Sequence, residues 1–517
     1  MNHSMKEYFS CRFVLAALLT VTVAISTSRS LAQGKQPPNI IFFIVDDMGW
    51  QDTSVPFWTE ATPFNHLYHT PAMERLAASG MKFTQAYASS VCSPTRVSLM
   101  TGMNAARHRV TNWTLRKNAS NDAKDDVLEY PLWNVNGLSP LPGIERTVYA
   151  TPLPAILRSN GYYTIHCGKA HWGAIGTPGA DPKNLGFDVN IAGHAAGGPA
   201  TYQGLNDFGN NSSDSGKQVW AIPGLEKYWG QDVNLSDALT REAILAMDTA
   251  LSLHKPFYLY LSHYAIHVPL EADHRYYKKY KDQGLPESEA RYASMIEGMD
   301  KSLDDILNYV DEKGIAENTI IIFMSDNGGL SAHARAGKPH THNAPLNSGK
   351  GSAYEGGIRE PMIVKWPGVT EGGSSCSQYI IAEDFFPTIL SLANIKAAGA
   401  VQHIDGISFK DLLKNPQAKR KSRDLYWHFP NNWGPTGPGI GATSTIRSGN
   451  WKLIYYYKDA RTELFNIEDD IGEKRDLAQQ HPVIVKKLAA TLTAYLKEVK
   501  AQRPVYRATG KSAPWPG

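Results

Sequence analysis

Two short acidic stretches each close a run of apolar residues. "NIIFFIVDDMGW" carries Asp46 and Asp47, and "NTIIIFMSDNGG" carries Asp326 and Asn327. Three carboxylates and an amide oxygen form a hard, all-oxygen donor set that suits Ca²⁺, with Mg²⁺ as the alternative, rather than zinc. Each motif alone is an ordinary turn former. Placed together after two buried-type runs, they read as a metal site, because ligands of open parallel sheets bind beyond the carboxyl ends of the strands.

A third stretch, "SSVCSPTRVSLMTG", reads as the start of a helix, with Ser93, Pro94 and Thr95 in its first turn and Gly102 at its end. Cys92 would then face free N–H groups and the positive end of the helix dipole, and Arg96 could turn its guanidinium to the same anion. That is an oxyanion site with a reactive group at its centre. An unmodified cysteine there is expected to have a depressed pKa and to be open to oxidation. A phosphatase-type thiolate needs a wider loop to its arginine and a His before the Cys, whereas Val91 precedes Cys92. The remaining reading is that residue 92 is not a cysteine in the working protein.

"CSPTRVSLMTG" resembles the signature of the type I, formylglycine-dependent sulfatases, part of the alkaline phosphatase-like superfamily. The resemblance extends over most of the chain beyond its leader. "GYYTIHCGKAHWG" is similar to the family's second signature, "HYAIHVPL" to the segment with a catalytic His, and "PLNSGKGSAYEGGIREP" to the segment with a catalytic Lys. The resemblance implies that a formylglycine-generating enzyme oxidises Cys92 to formylglycine (3-oxoalanine). One hydroxyl of its hydrate would attack sulfur, and the second would let the sulfated intermediate collapse. The ion would be held by Asp46, Asp47, Asp326, Asn327 and residue 92. Arg96 would anchor the diol, and Lys169 and Lys350 would neutralise the sulfate oxygens. His267 with Lys350 would protonate the leaving oxygen, and His171 would take the proton that triggers collapse. Ala170 and Asn347 depart from the commoner family residues, which bears on substrate contacts rather than on the reaction.

For the rest of the substrate, Arg107, His108 and Arg109 follow the signature helix, and His333, Arg335, His340 and His342 follow the second acidic strand. All are candidate contacts to hydroxyl or anionic groups, with mobile surface loop as the competing reading.

These residues need strands to carry them. "YYTIHCGKAHWG" and "KPFYLYLSHYAIHVPL" are two more strand-then-polar-loop units, and helical stretches such as "ARYASMIEGMDKSLDDILNYVDEKG" separate them. The alternation predicts an α/β fold with a large, mostly parallel sheet sandwiched by helices, over residues 37–415. From about residue 420 to 510 the pattern changes to a small antiparallel sheet with one amphipathic helix. The Gly/Pro-rich "FPNNWGPTGPGIGA" within this second region is too long for a tight turn and is expected to border the active site.

The 517 residues, 42% hydrophobic and 20% charged, have ordinary globular composition. A net charge of +3 gives no reason to expect nucleic acid as a partner. Residues 1–32 read as an export signal, with Lys6 and Arg12 before an apolar run and Ala32 at the cleavage site. No other run is long and apolar enough to span a membrane, so a periplasmic or secreted protein, bacterial rather than lysosomal, is expected. Removing the signal leaves Cys92, Cys167 and Cys376. A Cys167–Cys376 bridge is possible, and two buried free thiols are the favoured alternative. The expected function is removal of sulfate from a sulfated carbohydrate at a chain end, with aryl sulfates as surrogates. The competing readings are a phosphodiester or phosphonate hydrolase of the same superfamily and a catalytically inactive sugar-sulfate binder.

Overall fold

In the computed structural model, which describes residues 36–517, strand β1 (Asn39–Val45) is buried along its whole length. Its side chains alternate between two cores. Ile41, Phe43 and Val45 pack on one face of the sheet, and Ile40, Phe42 and Ile44 on the other. A strand covered on both faces has no polar side to show, which is why its sequence is continuously apolar. The export signal expected over residues 1–32 lies outside the described residues.

Among the described residues the main sheet has nine strands. In chain order its principal members are β1, β2 (Met81–Tyr87), β3 (Tyr163–Gly168), β4 (Val189–Ile191), β5 (Phe257–Ser262), β6 (Thr319–Ser325), β7 (Arg359–Lys365) and β8 (Ser374–Cys376). Their spatial order is β8-β2-β7-β6-β1-β5-β3-β4, with the short strand Ile380–Ile381 continuing beside β2. β1 runs parallel to β5 and β6, and β3 parallel to β4 and β5. β7 runs antiparallel to both β2 and β6, so the sheet is mostly parallel, as the α/β pattern predicts.

Helices cover both faces. α1 (Pro71–Ser79), α3 (Leu235–Ser252) and α4 (Glu287–Glu312) bury Leu76, Leu239, Met247, Ile296 and Leu303 in the first core. α2 (Cys92–Thr101) and α5 (Phe385–Leu392) bury Val97, Met100, Phe386 and Ile389 in the second. Cys167 belongs to the first core and Cys376 to the second, on opposite sides of the sheet, and both are free thiols. The possible bridge between them therefore does not form.

The C-terminal sheet is an antiparallel meander of β9 (Asp424–Phe429), β10 (Thr443–Ser448), β11 (Trp451–Tyr456) and β12 (Thr462–Asn466). Ile446, Leu453 and Leu464 on one face pack against Leu488, Leu492 and Leu496 of α6 (Pro482–Glu498). A buried ion network joins this sheet to the segment that follows Lys350. Lys452 Nζ lies 3.1 Å from Glu355 and 2.8 Å from Glu473, and Glu355 also accepts a hydrogen bond from Tyr87 at 2.7 Å. Among the described residues, no helix is long and apolar enough to cross a membrane.

Candidate active site

Strand register assembles the site. Ile44 pairs with Ser262 of β5, Val45 with Ser325 of β6, and Gly168 at the end of β3 with Ser262. The residues that follow, Asp46, Asp326 and Lys169, therefore leave the sheet side by side at one edge. Asp47 turns out of the strand with a left-handed φ of 61°. One carboxylate oxygen from each of Asp46, Asp47 and Asp326 lies within 4.8 Å of the others, and all three residues are buried.

Each acid is met by a cation from a different element. Lys169 Nζ is 2.5 Å from Asp46 Oδ2, Lys350 Nζ is 2.7 Å from Asp47 Oδ1, and Arg96 Nε donates to Asp326 Oδ2 at 2.8 Å. Arg96 also donates to Ser262 Oγ at 2.6 Å and to the Lys169 carbonyl at 3.0 Å, so α2 is tied to the ends of β3 and β5. Burial works against the charge on Lys350, but Asp47, Cys92 and Asp46 together outweigh it and raise the lysine's pKa. Asp47 responds in reverse: burial pushes it up, and Lys350 and His267 more than offset this, holding it well below the usual carboxylate range. Burial and the neighbouring Asp326 raise Asp46.

Two acceptor oxygens in this cluster, Asp46 Oδ1 and Asn327 Oδ1, are buried with no hydrogen-bond donor. Asn327 spends its amide N–H on Asp47 Oδ1 at 2.8 Å, which aims the carbonyl oxygen elsewhere. A buried acceptor left without a donor costs roughly 1–3 kcal/mol, and a cation removes that cost. The donor set, carboxylates plus one amide oxygen, fits a hard divalent ion.

Cys92 is the first residue of α2, beside this cluster and 3% exposed. Val91 caps the helix without a side-chain bond, and Gly102, left-handed at φ 70°, ends it. The expected depression of the thiol's pKa does not occur. Burial pushes the Cys92 thiol up and, with Asp46 and Asp326, outweighs the opposing pull of Lys169 and Lys350. An unmodified thiol here is protonated and a poor nucleophile.

Asp47, Cys92, His171, His267 and Lys350 line one cavity of about 290 Å³. His171 Nε2 donates to the Thr114 carbonyl at 2.8 Å, which leaves its buried Nδ1 without a partner. His267 Nδ1 donates to the Val268 carbonyl at 2.8 Å, and its Nε2 is 3.8 Å from Asp47. Burial, then Lys169 and Arg96, lowers His171 well below the ordinary imidazole range, and burial with Lys350 lowers His267 to about 3. Gly197 and Gly198 back both rings. A Cβ at Gly197 would come within 2.3 Å of His171, and one at Gly198 within 2.7 Å of His267.

The residues expected to contact the rest of the substrate are divided. His333 lines the cavity. Arg107 does not, because its guanidinium pairs with Asp405 at 2.8 Å. His108 is wholly buried, 3.1 Å from Ser98 Oγ, and burial lowers its pKa to about 3. Arg109 donates to the Lys500 carbonyl at 2.8 Å. Arg335 lies under the loop, 3.0 Å from Glu289 and stacked 4.1 Å over Tyr292. His340 is 3.4 Å from Ser348 Oγ, and His342 is held between Ser331 and the Ala336 carbonyl. These basic residues bind neighbouring chain rather than the cavity. In their place the structure brings in Trp113, Trp220 and Trp433, which the motifs did not single out. Trp433 and Pro435 come from the Gly/Pro-rich stretch expected to border the site. Trp113 and Trp220 carry no motif; the available signal was the count of 12 tryptophans in the chain.

Comparison with known proteins gives the family. The Sulfatase family model matches residues 38–395, and a model described as N-sulphoglucosamine sulphohydrolase, C-terminal, matches residues 349–502. A sulfatase of Formosa agariphila is 29% identical over 100% of this chain and 98% of its own. The mouse N-acetylgalactosamine-6-sulfatase is 31% identical over 77% of this chain and 70% of its own. The crystal structure of Ps i-CgsB superposes with a TM-score of 0.69 at 27% identity, covering 89% of this chain and 93% of that one. With the signature helix, the acidic strand ends and the paired lysines on one sheet edge, the chain belongs to the sulfatase family.

Proposed function

We propose that this sulfatase is an exported enzyme that removes sulfate from a sulfated carbohydrate, acting at a chain end, with a formylglycine made from Cys92 as its nucleophile and a divalent cation, Ca²⁺ in the first instance, beside it. The observation that carries the reading is the floor of the cavity. Cys92 lines it within electrostatic reach of Lys169, Lys350, Asp46 and Asp326, the cluster in which Asp46 Oδ1 and Asn327 Oδ1 have no donor. A protonated, buried thiol has no use in that place, whereas an aldehyde hydrate does. Names borne by related proteins support the carbohydrate: N-acetylgalactosamine-6-sulfatase in mouse, and Ps i-CgsB crystallised with k-i-k-neocarrahexaose.

Asp46, Asp47, Asp326 and Asn327 would hold the cation, which supplies Lewis-acid polarisation of the nucleophile and of a sulfate oxygen. The chain's own groups do the rest. Lys169 and Lys350 face the sulfate with charges fixed by their carboxylate partners, so little reorganisation accompanies S–O cleavage. Arg96, locked by Asp326 and Ser262, orients residue 92. His171 presents a bare Nδ1 because Nε2 is spent on Thr114, which fits the base that accepts a proton from residue 92. His267 and Lys350 line the same cavity; with His267 neutral and its Nδ1–H spent on the Val268 carbonyl, the Lys350 ammonium would supply the leaving oxygen's proton.

The test is peptide mass spectrometry across Cys92, on protein made together with a formylglycine-generating enzyme, coupled to sulfate release measured by ion chromatography. Aldehyde at residue 92 with turnover, both lost in Cys92→Ala, is the expected result. An intact thiol in protein that still releases sulfate would overturn the proposal.

A further inference from the structure

Beyond the sulfate-facing floor, the cavity changes chemistry. Trp113 and Trp220 form one part of its lining, with ring centroids 6.4 Å apart and planes inclined at 41°. Trp433 forms another. Its ring packs on the backbone of Gly351, immediately after Lys350, so closely that a Cβ at Gly351 would lie 2.0 Å from Trp433 Cε3. His333 joins it, with ring centroids 5.7 Å apart. Val268, Leu330 and Pro435 fill the gaps.

Formal charge is scarce in this lining. Among its described residues only Asp47 and Lys350 are ionised, and each is spent on the other at 2.7 Å. Of the lining histidines, His171 spends Nε2 on the Thr114 carbonyl and His267 spends Nδ1 on the Val268 carbonyl. Arg107, Arg109 and Arg335 are committed to Asp405, the Lys500 carbonyl and Glu289. A second anion on the substrate would therefore lose its water against indole rings and find no partner, which is costly. The C–H face of a sugar ring, by contrast, stacks on tryptophan and gains from the same dry surface.

We infer that this cavity selects a sugar ring carrying one sulfate and no second anionic group, with Trp113, Trp220 and Trp433 as its specificity-determining residues. The inference rests on the sulfatase function proposed above and names the substrate class of that site. A uronic acid or a disulfated hexosamine is excluded from the ring position, though neither is excluded from units further along a chain.

The experiment uses full-length protein with aldehyde at residue 92 verified by mass. It measures kcat and KM on each singly sulfated isomer of methyl galactoside and of methyl N-acetylglucosaminide, on their disulfated counterparts, and on 4-nitrophenyl sulfate. One or more singly sulfated sugars should exceed their disulfated counterparts by about tenfold or more in kcat/KM, about 1.4 kcal/mol or more of discrimination. For that sugar, Trp433→Ala and Trp113→Ala should raise KM about tenfold with a smaller change in kcat, the sign of lost uniform binding. Trp433→Phe should restore most of the loss, which a folding defect would not. A preference for disulfated sugars, or tryptophan variants that leave KM unmoved, would overturn the inference while leaving the sulfatase function standing. Verified aldehyde with no sulfate released from any compound, 4-nitrophenyl sulfate included, would overturn both.

Discussion

The charge balance of the acidic cluster makes cation and sulfate binding cooperative. Three carboxylates converge within 4.8 Å, and three cations, Lys169, Lys350 and Arg96, stand at 2.5, 2.7 and 2.8 Å from them. With all three acids ionised, the cluster is formally neutral before any ion enters. A divalent cation leaves an excess of two positive charges in a buried site, and a sulfate dianion balances it. Each ligand should therefore raise the affinity for the other by the same factor, with a coupling of roughly 1–3 kcal/mol. The assay is thermal unfolding of chelator-treated protein with Ca²⁺, with inorganic sulfate, and with both. A ligand at about 100 times its Kd stabilises by about 2.7 kcal/mol. With unfolding entropy near 2 cal/mol/K per residue over the roughly 480 residues of the folded unit, that is about 3 °C for each ligand alone. Coupling should add about 1–3 °C beyond the sum, and Asp326→Asn should abolish the excess. Strictly additive shifts would refute the charge-balance argument, and antagonistic ones would reverse its sign.

Three further outcomes follow from particular contacts. Lys452→Met leaves Glu355 and Glu473 buried without their shared cation, so the variant should lose about 3–5 kcal/mol, read as a fall in Tm with the main-sheet far-UV signal intact. Glu383 is pushed up to about 8 by burial and then by Asp384, against an ordinary 4.5. Its contribution to stability is fully present below pH 4.5 and is lost as pH rises through about 8, so Glu383→Gln should unfold at higher denaturant than the parent at pH 9 and show no such gain at pH 4, in urea titrations. His333→Ala should raise KM several-fold, whereas Arg107→Ala, whose partly exposed bond to Asp405 lies outside the cavity, should leave kcat and KM unchanged and cost no more than about 1 kcal/mol of stability.

Much of the fold was legible in the chain because buried parallel strands and their exits leave local marks. A strand-type run followed by acid, amide, lysine or histidine identified β1, β3, β5 and β6, and these four adjacent strands deliver Asp46, Lys169, His267 and Asp326. The antiparallel β7 was not read, because "REPMIVK" follows the lysine segment directly and its strand character comes from pairing with β2 and β6, far away in the chain. Residue types and spacing also marked Cys92, Arg96 and the acidic pairs, since the helix-start and turn chemistry they need is local.

The second layer of the site was decided by tertiary structure alone. Arg107, Arg109 and Arg335 are basic residues in loops near the motifs, and nothing local says whether such a residue faces a cavity or an acid. Asp405, Lys500 and Glu289, which claim them, lie at least 46 positions away in the sequence. The thiol of Cys92 shows the same limit. Helix position and neighbouring lysines argue for a lowered pKa, but burial and the carboxylates of two distant strands decide its direction. The sequence determined which groups could do the chemistry, because backbone geometry at strand ends and helix starts is set within a few residues. The fold decided which of them are desolvated, paired or left with a free lone pair, because those properties depend on what the rest of the chain packs against them.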